Sequence, residues 1–339
     1  MSAIQPGEAL KRLMSGGSLG RDDMESLVGR LMDGELSEPM KAALLVALAM
    51  KREAADEIAG AAAAMRARVI AIPHSRQNVV DTCGTGGDGR GTFNISTAAA
   101  LAAAAAGAPV AKHGNRSVSS RSGSADVLQA LGVKIDAPPE TAGAALDQLG
   151  IAFLFAPILH PAMREVMPVR RELGVRTVFN LLGPLTNPAG ARRQLMGVYA
   201  AELVPVIARV QAELGSAHAL VVHGSDGLDE ITVTGPTAIG EVRDGRVTTY
   251  TVAPEDFGLP RARLEDLIGG EPQENAAAME RILAGQPGPL HDVVALNAGA
   301  ALYVAGRAAG IREGLELARE ALANGAARAK LDALREFTA

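Results

Sequence analysis

The rhythm of apolar positions divides the chain into two stretches. Apolar residues over positions 4–70 recur at helical spacing and read as consecutive helices. Ser37-Glu38-Pro39 is a helix start, with a capping residue and a proline in the first turn, and the run 40–50 behind it shows almost no polar face. A helix apolar nearly all round must be buried, and a small helical domain offers limited core, so part of this helix is expected to meet another surface. Met14, Met24, Met32, Met40, Met50 and Met65 would suit an adaptable contact, although methionine at helical spacing is more often plain core.

From residue 78 onward, strand-length apolar runs alternate with helical ones, which argues for an α/β fold with a doubly wound, mostly parallel sheet. Residues 79–82, 109–112, 133–136 and 151–156 are expected strands, 201–215 a helix and 219–222 a further strand. Arg243-Asp244-Gly245-Arg246 between β-branched runs reads as a hairpin turn. Residues 160–174 read as a helix, and helix returns from about residue 293. No internal repeat or low-complexity linker is visible. The longest apolar run, 98–111, contains Gly107 and Pro109 and falls short of the ~20 residues a membrane helix needs.

Composition narrows the class. A chain of 339 residues fits one large domain with a smaller partner, and 48% hydrophobic residues supply a sizeable core. Net charge is −5, with no Trp, 3 Tyr and 6 Phe, which argues against a basic, aromatic nucleic-acid surface. A lone cysteine, Cys83, excludes an internal disulfide framework and suits a reducing compartment; beside Gly84 it reads as a small buried filler rather than a reactive thiol. Residues 1–11 hold no apolar core of a signal peptide, so a soluble, cytoplasmic protein is expected.

Candidate chemistry concentrates in residues 81–120. A short β-branched run leads into Cys83-Gly84-Thr85-Gly86-Gly87-Asp88-Gly89, then Asn94-Ile95-Ser96-Thr97 opens an alanine-rich helix. Glycines let backbone N–H groups converge and a helix start adds partial positive charge, which is the layout of an anion site. Gly84-x-Gly86-x-x-Gly89 satisfies a dinucleotide fingerprint, yet about 20 residues on stand Lys112 and Arg116 where that fingerprint wants an acid. The Gly-Lys-Ser/Thr of a P-loop is missing too. The remaining readings are a plain glycine turn before a capped helix and a polyphosphate site, and the second, basic loop from Lys112 favours the latter. Asp229-Glu230, just past an apolar run, is either two solvated acids or a Mg²⁺ pair.

These motifs carry a resemblance. Residues 81–88, 94–97, 112–120 and 123–126, with Met32-Asp33-Gly34-Glu35-Leu36-Ser37, residues 170–188, Gly227-Leu228-Asp229-Glu230 and Leu296-Asn297-Ala298-Gly299-Ala300-Ala301, resemble the anthranilate phosphoribosyltransferases over nearly the whole chain. The resemblance implies a small helical domain over 1–72 and a large α/β domain over 73–339, with a segment near 160–185 crossing back between them. It also implies a homodimer formed through the helical domain. The implied activity joins the amine of anthranilate to phosphoribosyl pyrophosphate, with no nucleic-acid or membrane partner.

In that family's pattern, phosphoribosyl pyrophosphate meets Gly84, Gly87 and Asp88, the helix start with Thr92, Asn94, Ile95, Ser96 and Thr97, and the basic loop of Lys112, His113, Gly114, Asn115, Arg116, Ser117, Val118, Ser119 and Ser120, with Ser124 beyond it. Anthranilate meets Gly84, Asn115, His113, His160, Arg170 and Pro184, and two Mg²⁺ ions are held by Ser96, Asp229 and Glu230. Lys112 is the implied electrostatic catalyst, with no certain general acid or base. Arg171 and Arg176 read as a solvated helix face, and Arg90 as an extra phosphate contact. A pyrimidine nucleoside phosphorylase is the nearest rival, but it would carry a Lys-x-Ser-x-Arg-Gly loop where this chain has Lys112-His113-Gly114-Asn115-Arg116. A non-enzymatic nucleic-acid-binding relative would need neither the acidic pair nor a charge of −5.

Overall fold

The computed structural model describes residues 4–117 and 121–339. Four helices come first, α1 Pro6–Met14, α2 Arg21–Met32, α3 Glu38–Lys51 and α4 Ala55–Arg66. Proline in the first turns of α1 and α3 costs no hydrogen bond, because those N–H groups have no intrahelical partner. Ser37 stands at the N-cap of α3 as expected, though its side chain makes no capping bond. Leu44, Leu45 and Leu48 of α3 are buried, while Met40, Ala42, Val46 and Ala47 are only half-buried and Met50 is 82% exposed. Lys41 is the polar exception within that run. It is buried, and its Nζ donates to the Glu165 carbonyl at 2.7 Å.

The rest of the chain builds a seven-stranded sheet of β1 Val80–Asp81, β2 Val110–Gly114, β3 Ile151–Phe155, β4 Arg193–Gly197, β5 His218–Gly224, β6 Thr237–Arg243 and β7 Arg246–Val252. Its order is β3-β2-β1-β4-β5-β6-β7, parallel from β3 to β5 and antiparallel for β6 and β7. The interleaved helices are α5 Ile95–Ala105, α6 Ser124–Ala130, α7 Pro139–Leu149, α8 Ala156–Leu159, α9 Met167–Leu173, α10 Phe179–Leu182 and α11 Leu203–Glu213, followed by α12 Pro272–Leu283, α13 Pro289–Val304, α14 Ile311–Ala323 and α15 Ala326–Thr338. The fold class expected from the alternation stands, as does the hairpin at Arg243–Arg246.

Two local expectations do not survive, and one strand was missed. Residues 133–136 form no strand: Gly132, at φ +83°, ends the helical turn, and Val133 and Ile135 bury their side chains in the connection between α6 and α7 without pairing. The helix expected over 160–174 breaks into a 3-10 turn at Pro161–Glu165 and α9, since Pro168 in its interior removes an N–H donor that a continuous helix would use. β4 was not anticipated, because Arg193 and Gln194 and the lack of any β-branched residue in it disguise a central strand.

Small residues set the packing behind the sheet. The alanines of α5 from Ala98 to Ala104 are each at most 4% exposed, and a Cβ on Gly299 of α13 would lie 2.4 Å from the Leu315 nitrogen of α14. On the other side one core runs without a break from Leu13, Leu44 and Ile58 through Val169, Phe179 and Leu182 to Met196, Val221 and Ile207. The segment holding α9 and α10 thus packs against α3, α4 and the sheet at once. No helix among the described residues is long and apolar enough to cross a membrane.

Candidate active site

Strand order reverses between β1 and β4, and the crevice outside the carboxyl ends of strands at such a reversal is where doubly wound sheets take ligands. The glycine loop leaves β1 there and folds over the end of β4. The Thr85 N–H donates to the Gly197 carbonyl at 2.9 Å, and the Tyr199 N–H to Thr85 Oγ1 at 3.1 Å. Gly86 and Gly87 hold φ of +63° and +74°, values that favour glycine. Gly84 answers to space instead, since a Cβ on it would lie 2.6 Å from Asp229 Oδ2. Asn94, at the N-cap of α5, does not cap its own helix. Its amide donates to the Ser122 carbonyl at 3.0 Å and its oxygen accepts from Asn275 at 2.9 Å, while the Ile95 and Thr97 N–H groups of the first turn go to the Phe93 and Asn94 carbonyls at 2.7 and 3.1 Å.

Opposite the loop stand the acids. Asn297 of α13 brackets the Ile231 peptide, accepting its N–H at 3.0 Å and donating to its carbonyl at 2.8 Å, which fixes the segment carrying Asp229 and Glu230. Asp229 Oδ2 accepts the Gly86 N–H at 2.8 Å. Both carboxylates form the crevice floor, half-buried and ringed by protein. Loss of solvation raises the Asp229 carboxyl to about 6, with the charge of Asp88 adding to it. Glu230 is pushed well above its ordinary range, first by desolvation and then by Asp229, while Lys112 and the Ser96 N–H pull the other way. Lys112 reaches in from β2, 3.1 Å from the Thr82 carbonyl and 3.2 Å from Ser96 Oγ.

Hard oxygen donors within reach of one another's charge, with a hydroxyl nearby, suit a small divalent ion that keeps water and substrate oxygens in its shell. Asp81, Cys83 and His113 also bring donor atoms within 4.8 Å of one another, but they do not fit a metal. Asp81 already accepts the His113 N–H at 3.1 Å and the Asn187 amide at 2.8 Å, both His113 ring nitrogens are engaged, and burial pushes the Cys83 thiol far up. Cys83 is half-buried rather than fully buried.

A drier half of the crevice lies beside β2 and α9. His113 Nδ1 is 3.0 Å from the Gly183 carbonyl, so it carries the proton, and Nε2 accepts from His160 Nε2 at 3.1 Å. This chain of donors leaves His160 Nδ1 as a buried lone pair with no partner. Burial lowers both imidazoles, His113 to about 3 and His160 to about 4, so both are neutral near pH 7. Arg170, on the last turn of α9, is half-buried with its guanidinium 5.7 Å from the Phe179 ring centroid and 3.8 Å from Met167 Sδ. No carboxylate pairs with it among the described residues, and burial lowers its pKa.

The other sites read from the sequence are placed less directly. Arg116 is turned to Asp126 at 2.9 Å and Gln129 at 2.8 Å, and Asn115 is exposed with Oδ1 accepting the Arg116 N–H. Ser117 donates its N–H to Asp126, and Ser124 Oγ donates to the Asn115 carbonyl at 3.3 Å. Gly114 is there for space, because its Cβ would lie 2.2 Å from Ser124 Oγ. Ile95 and Thr97 bury their side chains, Thr97 Oγ1 with no partner, and Thr92 bridges to Ile268. Pro184 is buried, its carbonyl taken by Gln194 at 2.6 Å. Val118, Ser119 and Ser120 lie outside the described residues.

Two residues make contacts that the sequence did not announce. Arg176 does not wave in solvent as part of a helix face: it hydrogen-bonds the Gly87 carbonyl and lies 4.2 Å over the Tyr199 ring. Arg90 packs its guanidinium against Gly227, where a Cβ would come within 2.4 Å of it, and so braces the acidic segment. Spacing carries no sign of either contact.

Comparison with known proteins agrees with this geometry. The family described as "Glycosyl transferase family, helical bundle domain" matches residues 7–69, and "Glycosyl transferase family, a/b domain" matches residues 76–328. An anthranilate phosphoribosyltransferase of Symbiobacterium thermophilum is 54% identical, over 97% of this chain and 96% of its own. The crystal structure of the Thermus thermophilus anthranilate phosphoribosyltransferase superposes with a TM-score of 0.92 at 50% identity, covering 97% of this chain and 99% of that one. The Saccharomyces cerevisiae enzyme, in complex with PRPP and Mg, gives 0.90 at 28% identity, covering 98% and 97%. Full-length likeness in sequence, together with one fold whose loop, acids and drier half share a single crevice, means that the chain belongs to the anthranilate phosphoribosyltransferase family.

Proposed function

We propose that the chain transfers the phosphoribosyl group of phosphoribosyl pyrophosphate (PRPP) to the amine of anthranilate, releasing pyrophosphate. One observation carries the reading: a single crevice joins an anion-binding half to a dry half holding two neutral imidazoles and a guanidinium without an ion pair. The pyrophosphate lies on the glycine-loop N–H groups that Gly197 and Asp229 do not already take, those of Gly87 and Asp88 among them, with Lys112 beside it. The ribose 5-phosphate end falls to the basic loop, where Arg116 must share itself with Asp126. Arg170 meets the anthranilate carboxylate with a planar two-point fork, and His113, His160, Asn115 and Pro184 bound the slot.

The aniline nitrogen is a weak nucleophile that attacks without prior deprotonation, so the burden falls on C1 of the ribose. The C1–O bond breaks with its electron pair leaving on pyrophosphate, the amine lone pair closes the new C1–N bond, and the ammonium proton is lost afterwards. Lys112 and the loop N–H groups stabilise the departing charge, each such donor contributing ~3 kcal/mol of barrier lowering. Asp229, Glu230 and Ser96 would hold two Mg²⁺ ions, which when bound offset pyrophosphate charge. The dry half keeps the amine aligned and water away from the cation-like carbon.

The same reading includes a homodimer through the N-terminal helices, supported by the half-buried face of α3 and the exposed Met50 and Met14. It also takes residues 1–72 and 73–339 as the two domains and the cytoplasm as the location, the last supported by a single unpaired thiol. The decisive assay mixes the protein with anthranilate, PRPP and Mg²⁺ and follows anthranilate fluorescence. Loss that needs all three components is expected. No loss, with thymine released from thymidine and phosphate in a parallel tube, would make the chain a phosphorylase.

A further inference from the structure

The glycine loop has almost nothing of its own to hold it in shape. Gly84, Gly86, Gly87 and Gly89 have no side chains, and Gly86 and Gly87 sit in left-handed conformations that unfolded glycine leaves freely. Apart from Asp88 Oδ1, which accepts the Arg90 N–H at 3.2 Å, its ties come from outside. Gly197 and Tyr199 hold Thr85, and Asp229 holds the Gly86 N–H. The fourth tie has a different origin. Arg176, on the segment between α9 and α10, donates to the Gly87 carbonyl while its guanidinium lies 4.2 Å over the Tyr199 ring. Gly174, at φ +61°, ends α9 and turns the chain so that Arg176 can cross to the loop. Arg176 is exposed and has no carboxylate within ion-pair distance among the described residues, so ring and carbonyl are what fix it.

A trans peptide carries its C=O and its following N–H on opposite edges. Holding the Gly87 carbonyl therefore fixes the direction of the Asp88 N–H, one of the donors that the proposed function assigns to pyrophosphate. We infer that Arg176 is a positioning residue for the pyrophosphate of PRPP, acting through the Gly87–Asp88 peptide with the Tyr199 ring as its platform. This rests on the transferase reading. Arg176 also stands six residues beyond Arg170 on the same segment, so the loop that takes one substrate is tied to the segment that takes the other.

The test compares wild type with Arg176→Ala, Arg176→Lys and Tyr199→Leu. It reads calorimetric affinity for PRPP with Mg²⁺, the two Michaelis constants, and hydrogen exchange of residues 86–88 in the free protein. Arg176→Ala should weaken PRPP about tenfold, the loss of one charge-assisted hydrogen bond, with the anthranilate constant at saturating PRPP within about twofold of wild type. Amides 87 and 88 should exchange faster while the melting temperature holds. Arg176→Lys should restore part of this, and Tyr199→Leu, which removes the platform under the guanidinium without changing any charge, should shift both readouts the same way. Unchanged loop exchange with weakened PRPP would overturn the inference and make Arg176 a direct phosphate contact, and unchanged PRPP affinity would overturn it outright. A wild type that binds no PRPP would sink the transferase reading instead, and loop exchange would still decide whether Arg176 holds the loop.

Discussion

Arg170 carries its charge half-buried beside Phe179 with no acid to answer it, an arrangement that costs stability unless a ligand anion completes it. Arg170→Ala should therefore raise the Michaelis constant for anthranilate by about tenfold or more while moving that for PRPP little, and steady-state kinetics with each substrate varied would show it. Equal effects on both would make Arg170 an organiser of the segment rather than a carboxylate contact. The imidazole pair supports a second prediction. Because His113 and His160 are depressed to about 3 and about 4, the unfolded chain binds protons that the folded one refuses as pH falls below ~6.5. The stability that this neutral pair contributes is complete above that pH and drains away as pH falls towards 4. Nitrogen NMR should find His113 protonated on Nδ1 and His160 on Nε2, both neutral down to pH 5; an imidazolium signal for either at pH 6 would refute the hydrogen-bond direction assigned to them.

At the scale of elements, the glycine loop and the acidic segment are packed as one unit. Gly84 leaves Asp229 no spare room, so Gly84→Ala must push the carboxylate aside and break its bond to the Gly86 N–H. The expected result is a loss of Mg²⁺-dependent PRPP affinity, read by calorimetry, with a melting temperature within a few degrees of wild type. The sequence made this unit legible in parts, because glycine, Asn94 and paired acids advertise their backbone roles locally. Strand alternation and the hairpin turn were legible for the same reason. What it hid were contacts between distant elements. Val133 and Ile135 look like strand residues but are anchors in a connection, β4 hides behind Arg193 and Gln194, and Pro168 divides what reads as one helix. Arg176 was unreadable because its partner is a backbone carbonyl 89 residues away, which leaves no side-chain pattern to find.

For the molecule as a whole, the crevice is a place where stability has been surrendered. Asp88, Asp229 and Glu230 feel one another's charge, and Asp229 and Glu230 hold pKa values raised above those of an unfolded chain. A raised carboxyl favours the folded state only while it is protonated. That contribution is complete below ~3.8 and is lost as pH rises through about 6, so near pH 7 the ionised pair works against the fold. For Asp229 alone the shift corresponds to at most about 3 kcal/mol. Asp229→Asn with Glu230→Gln removes that cost together with the Mg²⁺ ligands. The double variant should lose turnover and yet melt higher than wild type at pH 7 in chelator, by several degrees. The gap should narrow at pH 5, where the wild-type carboxyls take up protons, and it should also narrow when Mg²⁺ with PRPP is added to wild type, since a ligand bound only by the folded state stabilises it. Scanning calorimetry at the two pH values reads all of this. A variant that melts lower than wild type under every condition would mean that the acids act as structural hydrogen-bond acceptors for the loop, and that the charge they carry has no part in setting how the free and loaded molecules differ.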